Sequence, residues 1–379
     1  MIKPFARISL CIALSAWAGA SHAHKPSDSY LSITLPAEGS ELQGQWDIAL
    51  RDLEHAVGVD GDGDGAITWA ELRDRQQDLA AYAFSRLSIE NAAADARNAC
   101  PIRFDRLLTD QHVDGGYAVL RFSAECAARP TQLAVNYSLL FDVDPDHRGL
   151  LEIDGGGASQ AAVLSDSQPT VTIALNATQP WRQFRSFVAE GVWHILHGYD
   201  HVLFLFTLLL PAVVVYRQGR WEPRESLRES VIDVAKVVTA FTVAHSLTLS
   251  LAVLGWVNAP SRIVEAAIAF TVVLGALNNL IPIVTQRRWL VALVFGLVHG
   301  LGFASVLGDL GLERGALALA LLGFNVGVEL GQLAIVLVLV PLAYWLRASL
   351  FYRRLFMPAG AATIGGVAAY WFVTRAFGA

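Results

Sequence analysis

Glu190-Gly-Val-Trp-His194-Ile-Leu-His197-Gly-Tyr-Asp200-His201 runs straight into Val202-Leu-Phe-Leu-Phe-Thr-Leu-Leu-Leu210. The apolar tail reads as the body of a membrane helix and the polar stretch as its beginning. At about 100° per residue, Glu190, His194, His197 and His201 fall on one narrow stripe, with Asp200 to its side. Ionisable groups are expensive in hydrocarbon, so the stripe must face a bundle interior or a polar cavity. Three imidazoles and one or two carboxylates on one helix face at membrane depth set the frame for the rest of the chain.

Composition divides the 379 residues into two unlike halves. The chain is 54% apolar and 16% charged, and the apolar residues concentrate after about residue 186. This is too apolar for an ordinary soluble protein. The net charge of −6, carried mostly by the first half, argues against a nucleic-acid surface and suits cations. Residues 1–23 open with Lys3 and Arg7, continue with an apolar run from Ile8 to Ala18 and end on small residues at Ala23, the pattern of a secretory signal peptide. Cleavage after Ala20 and cleavage after Ala23 both satisfy the small-residue rule. Export places the following residues in an oxidising compartment. There Cys100 and Cys126 form an even pair and read as one disulfide.

Residues 24–180 read as a β-rich, sandwich-like exported domain. Ser29–Pro36, Ile102–Leu108, Tyr117–Ser123, Gln132–Phe141 and Val171–Leu175 are short, β-branched or aromatic, and separated by Gly, Asp and Pro turns. Inserted among them is Asp60-Gly-Asp62-Gly-Asp64-Gly65-Ala66-Ile-Thr68-Trp-Ala-Glu71, which matches the twelve-residue EF-hand calcium loop at each diagnostic position. Asp60, Asp62 and Asp64 supply carboxylates, Gly65 the sharp turn and Ala66 a carbonyl. Thr68 stands at the position often bridged by water, and Glu71 closes the loop bidentately. Asp47–Val57 and Trp69–Arg86 are expected as the entering and leaving helices. With no second loop of equal quality, calcium is expected here as a structural staple. The second acidic stretch, Asp142 to Gly149, has Ile153 where a closing Glu should be, and reads as a turn.

Residues 181–379 contain about six segments long enough to span: 187–216, 231–254, 263–284, 289–307, 316–346 and 356–373. Arginines cluster in alternate loops, at Arg217, Arg220, Arg224 and Arg228, at Arg287 and Arg288, and at Arg347, Arg353 and Arg354. By the positive-inside rule those loops are cytoplasmic, and the exported domain and the C-terminus lie in the periplasm of a bacterial inner membrane. At about 1.5 Å per residue, His245 and His299 then come to the depth of the His194–His201 stripe, as do Asn325, Glu329 and Gln332 on one face of the fifth span, with Glu265 nearer the outer end of the third. His194, His197, Asp200, His201, His245, His299 and Glu329 thus form a candidate intramembrane metal site, with Glu190, Glu265, Asn325 and Gln332 as accessory groups. Imidazole with carboxylate suits nickel, cobalt, zinc, iron or copper.

These motifs also carry a resemblance. His194-x-x-x-Gly198-x-Asp200-His201, Phe295-Gly-Leu-Val-His299-Gly300 and Gly323-Phe-Asn325-Val-Gly-Val-Glu329-Leu-Gly-Gln332 resemble the HupE/UreJ family of hydrogenase- and urease-associated membrane proteins, over residues 187–379. The resemblance implies a nickel or cobalt permease, or an accessory protein working with metalloenzyme maturation proteins, with His194, Asp200, His201 and His299 at motif positions. This chain departs from the pattern at Ile195, where Pro is usual in the shorter members, at the extra His197, and at Phe303, where a second His often follows. It looks closer to a branch carrying an exported calcium-loop domain.

Three classes of function follow from the residues. A permease needs a polar route inward from the site, for which Asp233, Thr239, Asn278 and Asn279 are candidates, with Lys236 opposing a cation. A periplasm-facing metalloenzyme would need an open metal position and an acid or base such as Glu329 or Glu265, and bis-His haem ligation is a variant of it. A calcium-dependent binding module on a helical anchor would leave the histidine stripe without a purpose. The transporter or accessory reading, a non-enzyme, accounts for most of these features.

Overall fold

The computed structural model describes residues 27–36, 38–92, 97–112, 115–155, 159–175, 179–308, 312 and 314–377. The expected signal peptide at 1–23 lies outside them. The chain divides into two compact units, His24–Phe187 with Ser305–Leu322, and Val188–Ala304 with Gly323–Ala379.

The first unit is β-rich. Its elements are β1 (Asp28–Thr34), β2 (Glu41–Ala49), α1 (Leu50–Val57), α2 (Trp69–Asp74), α3 (Gln76–Phe84), β3 (Leu87–Asn91), β4 (Asn98–Ala99), β5 (Ile102–His112), β6 (Gly115–Glu125), β7 (Gln132–Tyr137), β8 (Arg148–Asp154), β9 (Ser159–Leu164) and β10 (Thr170–Ala174). A six-stranded sheet runs β5-β6-β2-β1-β8-β9 and a four-stranded sheet β10-β7-β3-β4. All pairings are antiparallel except β1 with β8. Strand alternation sends Leu31, Ile33, Trp46, Ile48, Leu120 and Phe122 of the first sheet into one core with Leu87, Ile89, Leu133, Val135 and Ile173 of the second. Leu53, Leu72 and Leu79 of the three helices join that core. The disulfide Cys100–Cys126 ties the strand β5 to the end of β6. Asp47–Ala49, expected to begin a helix, belongs to β2, and the expected helix 69–86 is two helices broken at Arg75.

A polar chain crosses this core. Ser27 donates to Asp52 of α1 at 2.7 Å and is also bonded to Nδ1 of His147. His147 Nε2 meets the Tyr137 hydroxyl at 2.5 Å, and Tyr137 meets Ser29 at 2.7 Å. The Trp46 indole donates to Ser29 at 3.1 Å. Ser29, Trp46, Tyr137 and His147 are fully buried, so each needs these partners.

The second unit is helical. It takes up α4 (Pro180–His197) from Val188 and continues with α5 (Tyr199–Leu209), a hairpin of β11 (Val214–Arg217) and β12 (Arg220–Pro223), α6 (Leu227–Val253), α7 (Ser261–Leu280) and α8 (Arg288–His299); α9 (Ala304–Gly308) falls in the first unit from Ser305, α10 (Arg314–Leu346) belongs to the second unit from Gly323, and α11 (Met357–Phe377) follows a π-helical turn at Tyr352–Phe356. Among the described residues, four helical stretches are long and apolar enough to cross a membrane: Leu227–Val253, Ser261–Leu280, Arg314–Leu346 and Tyr352–Phe377. Two further apolar helices, Tyr199–Leu209 and Arg288–His299, are shorter. Val243, Leu247, Phe270, Leu337, Val338 and Trp345 are exposed on these helices, as lipid-facing positions require. The first expected span is therefore not one continuous helix: it ends at Leu209, gives way to the hairpin, and is interrupted at Gly198.

Candidate metal centre

The centre is assembled around that interruption. Gly198 has φ −72° and ψ 88°, so α4 stops at His197 and α5 starts at Tyr199. A Cβ at Gly198 would lie 2.4 Å from the His194 carbonyl oxygen and 3.2 Å from Nδ1 of His201, closer than a side chain tolerates. The bend keeps His194 and His201 together, with ring centres 4.7 Å apart. His245 of α6 lies 6.0 Å and His299 of α8 5.0 Å from the His201 ring. One ligand nitrogen each of His194, His201 and His245 falls within 4.8 Å of the others. His201, His245 and His299 are buried.

The ring nitrogens carry the chemistry. Nε2 of His194, Nε2 of His201, both nitrogens of His245 and Nδ1 of His299 are buried without a hydrogen-bond partner among the described residues. Such an accumulation costs stability unless something seated there satisfies it. The tautomer of His299 can be assigned. The Thr271 hydroxyl donates to the Ile268 carbonyl at 2.6 Å, so at 2.9 Å it must accept from His299 Nε2–H. Nδ1 of His299 is then a bare lone pair, the form in which imidazole binds a metal.

Aromatic rings close around the cluster. Phe204, Phe241 and Phe295 stand one helical turn from His201, His245 and His299, and Phe204 packs on both of the others. Phe204 lies 4.9 Å and Phe241 5.3 Å from the His299 ring. On the other side, Phe303 and Phe324 stack at 4.3 Å and lie 4.8 Å and 5.2 Å from His194. Phe303, at the position where a second His was expected from the resemblance, thus forms part of an apolar wall.

The remaining expected residues occupy several different places. His197 is exposed and stacks on Trp193 at 3.5 Å, because the stripe that joined it to His201 assumed a helix continuous through Gly198. Asp200 is taken by Arg375 of α11, at 2.9 and 3.3 Å. Asn325 lies beside His245 and accepts from Ser246 at 2.6 Å. Gln332 accepts from Thr242 at 3.0 Å, and Glu265 accepts from Ser261 at 2.9 Å. Glu329 and Glu190 are half-buried and outside the three-histidine group. Thr271 and Arg375 were missed: an isolated threonine and a terminal arginine carry no spacing that marks them.

The polar groups expected to line an inward route are engaged elsewhere. Asp233 accepts from Arg224 at 3.0 Å and Arg288 at 3.2 Å, and Arg288 also donates to the Leu208 carbonyl. Asn279 donates to the Thr207 carbonyl at 2.7 Å, and Asn278 caps residues 283–284. Thr239 and Lys236 are exposed.

In the β-rich unit, the loop between α1 and α2 brings Asp60, Asp62 and Glu71 together, each offering a carboxylate oxygen within 4.8 Å of the others. Asp60 accepts from the backbone N–H of Gly63 at 2.7 Å and Gly65 at 2.8 Å, and Gly65 holds φ +84°, where a side chain would be strained. Thr68 caps α2 in a capping box with Glu71. The Thr68 backbone N–H and hydroxyl, with the Gly61 N–H, hold the Glu71 carboxyl down to about 2. Asp64 is outside the three-carboxylate group, whereas the Thr68 hydroxyl donates to Glu71 at 2.7 Å.

Among known families, the model described as "HupE / UreJ protein" matches residues 170–375. No curated protein gives a significant match to the chain.

Proposed function

The chain belongs to the HupE / UreJ family, and on that footing we propose that it is a transition-metal permease or metal-handling accessory protein whose cargo, nickel or cobalt, is held by His194, His201, His245 and His299. The observation that carries this reading is the set of buried, unpartnered ring nitrogens on four helices. The donor set fits: all-imidazole coordination suits nickel and cobalt, and none of these groups need give up a proton to bind. His299 is oriented by Thr271, and the aromatic walls keep competing water from the donors.

The rings of Phe204, Phe241 and Phe295 bear on direction. With the arginine loops inside and the β-rich unit exported behind its signal peptide, these rings lie on the cytoplasmic side of the cluster. Transport inward requires them to part, so this conformation is closed toward the cytoplasm. In the same reading, Asp60, Asp62, Asp64, Ala66, Thr68 and Glu71 bind calcium as an EF-hand loop, which fixes α1 and α2 on the exported core.

The test is metal content by mass spectrometry of protein purified without chelator, beside a His201→Ala/His245→Ala variant. Nickel or cobalt in the wild type that drops at least tenfold in the variant is the expected result. Equal transition-metal content and equal cellular uptake in the two proteins would return the four histidines to helix packing.

A further inference from the structure

A third cluster of metal-ligating side chains lies on the six-stranded sheet of the β-rich unit, on the face opposite its core. Tyr30 of β1 pairs with Asp47 of β2, and Asp47 with Val119 of β6, so these three share a face. Two residues along β6, Tyr117 pairs with Asp110 of β5, and His112 follows Asp110 at i+2 on the same face. From β5, His112 reaches across β6 to Asp47, with Nε2 at 3.2 Å from Oδ2. Asp47, Asp110 and His112 each present a ligand atom within 4.8 Å of the others.

We propose that Asp47, Asp110 and His112 form a transition-metal site of the exported unit, distinct from the four-histidine cluster and from the acidic loop. The surrounding groups hold the ligands as a metal site requires. The Gln45 amide spans both carboxylate oxygens of Asp47, at 2.8 and 3.0 Å, and fixes its plane. The His112 ring is stacked on Tyr30 at 5.0 Å and 14° and lies 4.2 Å from Tyr117, so its rotation is restricted. Outer groups that orient an imidazole and a carboxylate in this way distinguish a metal site from a surface ion pair. The side chains of Asp47 and His112 are 7% and 9% exposed, whereas Asp110 is exposed. The site therefore has two ligands set in the sheet and one at its rim, from which a cation can enter.

Chemistry selects the ligand. Here one imidazole stands with two carboxylates, a set for nickel, cobalt or zinc in preference to calcium, which takes oxygen ligands. A metal at His112 Nε2 takes the tautomer with the ring proton on Nδ1, so the imidazole binds neutral and the Nε2–Asp47 hydrogen bond gives way to two metal–ligand bonds. If the membrane cluster carries cargo, this site would capture the same class of ion on the exported side, a role that rests on the function proposed above; the site itself does not.

The experiment uses the full chain in detergent, stripped of transition metals and saturated with calcium, titrated with Co2+ and followed by its visible absorption and by calorimetry. In a His201→Ala/His245→Ala background one Co2+ per chain remains, and adding His112→Ala weakens it at least tenfold. Asp110→Asn, at an exposed position that cannot unfold the sheet, weakens it as well and decides the matter if His112→Ala alters melting. Absence of Co2+ from the background variant, or affinity unchanged by Asp110→Asn, overturns the site. Equal Co2+ binding by wild type and background variant counts against the membrane cluster and leaves this site standing.

Discussion

Single side chains set the chemistry of both units. Thr271 touches no expected ligand from its own sequence neighbourhood, yet it decides which nitrogen of His299 is bare. Thr271→Val keeps the volume and removes the acceptor, and transition-metal affinity is expected to fall about 10- to 100-fold without loss of fold; isothermal titration of the two proteins checks this. In the β-rich unit, burial holds the His147 imidazole down to about 3, so it stays neutral between Ser27 and Tyr137. The sign follows from the depressed value. Above the usual 6.5 neither folded nor unfolded chain is protonated there, and the stabilisation is intact. As pH falls from 6.5 toward 3 the unfolded chain takes up a proton that the folded chain refuses, and stability is lost. His147→Phe is expected to cost about 1–3 kcal/mol at neutral pH by orphaning its partners, and to flatten the decline on acidification. Melting of the β-rich unit within the full chain at several pH values measures both effects.

At the scale of elements, legibility depended on whether a residue type is bound to a fixed position. In the Asp60–Glu71 loop the turn at Gly65 was legible, because a positive φ leaves few substitutes for glycine. The convergence of His201, His245 and His299 was legible because each imidazole is costly in an apolar helix, so depth alone aligned them. The break at Gly198 was not. Hydrophobic periodicity passes smoothly through it, and His197 therefore joined a stripe from which the actual bend removes it. Strands β2 and β9 were missed for different reasons: Asp47 to Val57 has helical spacing that starts before the helix does, and Ser159–Leu164 is rich in alanine, with weak strand preference, and is ordered by burial on both faces. Because the bend is what holds the two histidines of α4 and α5 together, Gly198→Ala is expected to leave the protein in the membrane while lowering metal binding at least tenfold. Wild-type metal content in that variant would mean that the bend has no part in the centre.

For the whole molecule, the proposed calcium loop makes the β-rich unit's stability the property to measure. The acidic loop joins α1 to α2, and both helices pack on the core shared by the two sheets. Calcium is therefore expected to raise the melting temperature of the β-rich unit, chelator to lower it, and Glu71→Gln to erase the difference, all read by calorimetry of the full chain. Acid should mimic the chelator. The Glu71 carboxyl is depressed to about 2, so its contribution is present above the usual 4.5 and lost as pH falls toward 2.

The parallel pairing of β1 with β8 has a consequence in time. Ser27, at the threshold of β1, and His147, at that of β8, are separated by 120 residues, and Ser29–Thr34 of β1 pair with both β2 and β8. Exported N-terminus first, as in the function proposed above, the chain can form the β1–β2 hairpin early, but it must wait for β8 with one edge of that hairpin unpaired. Closure of the disulfide between Cys100 and Cys126 falls inside that interval. On that route the β-rich unit has an order of assembly in which the first strand made is among the last to be enclosed.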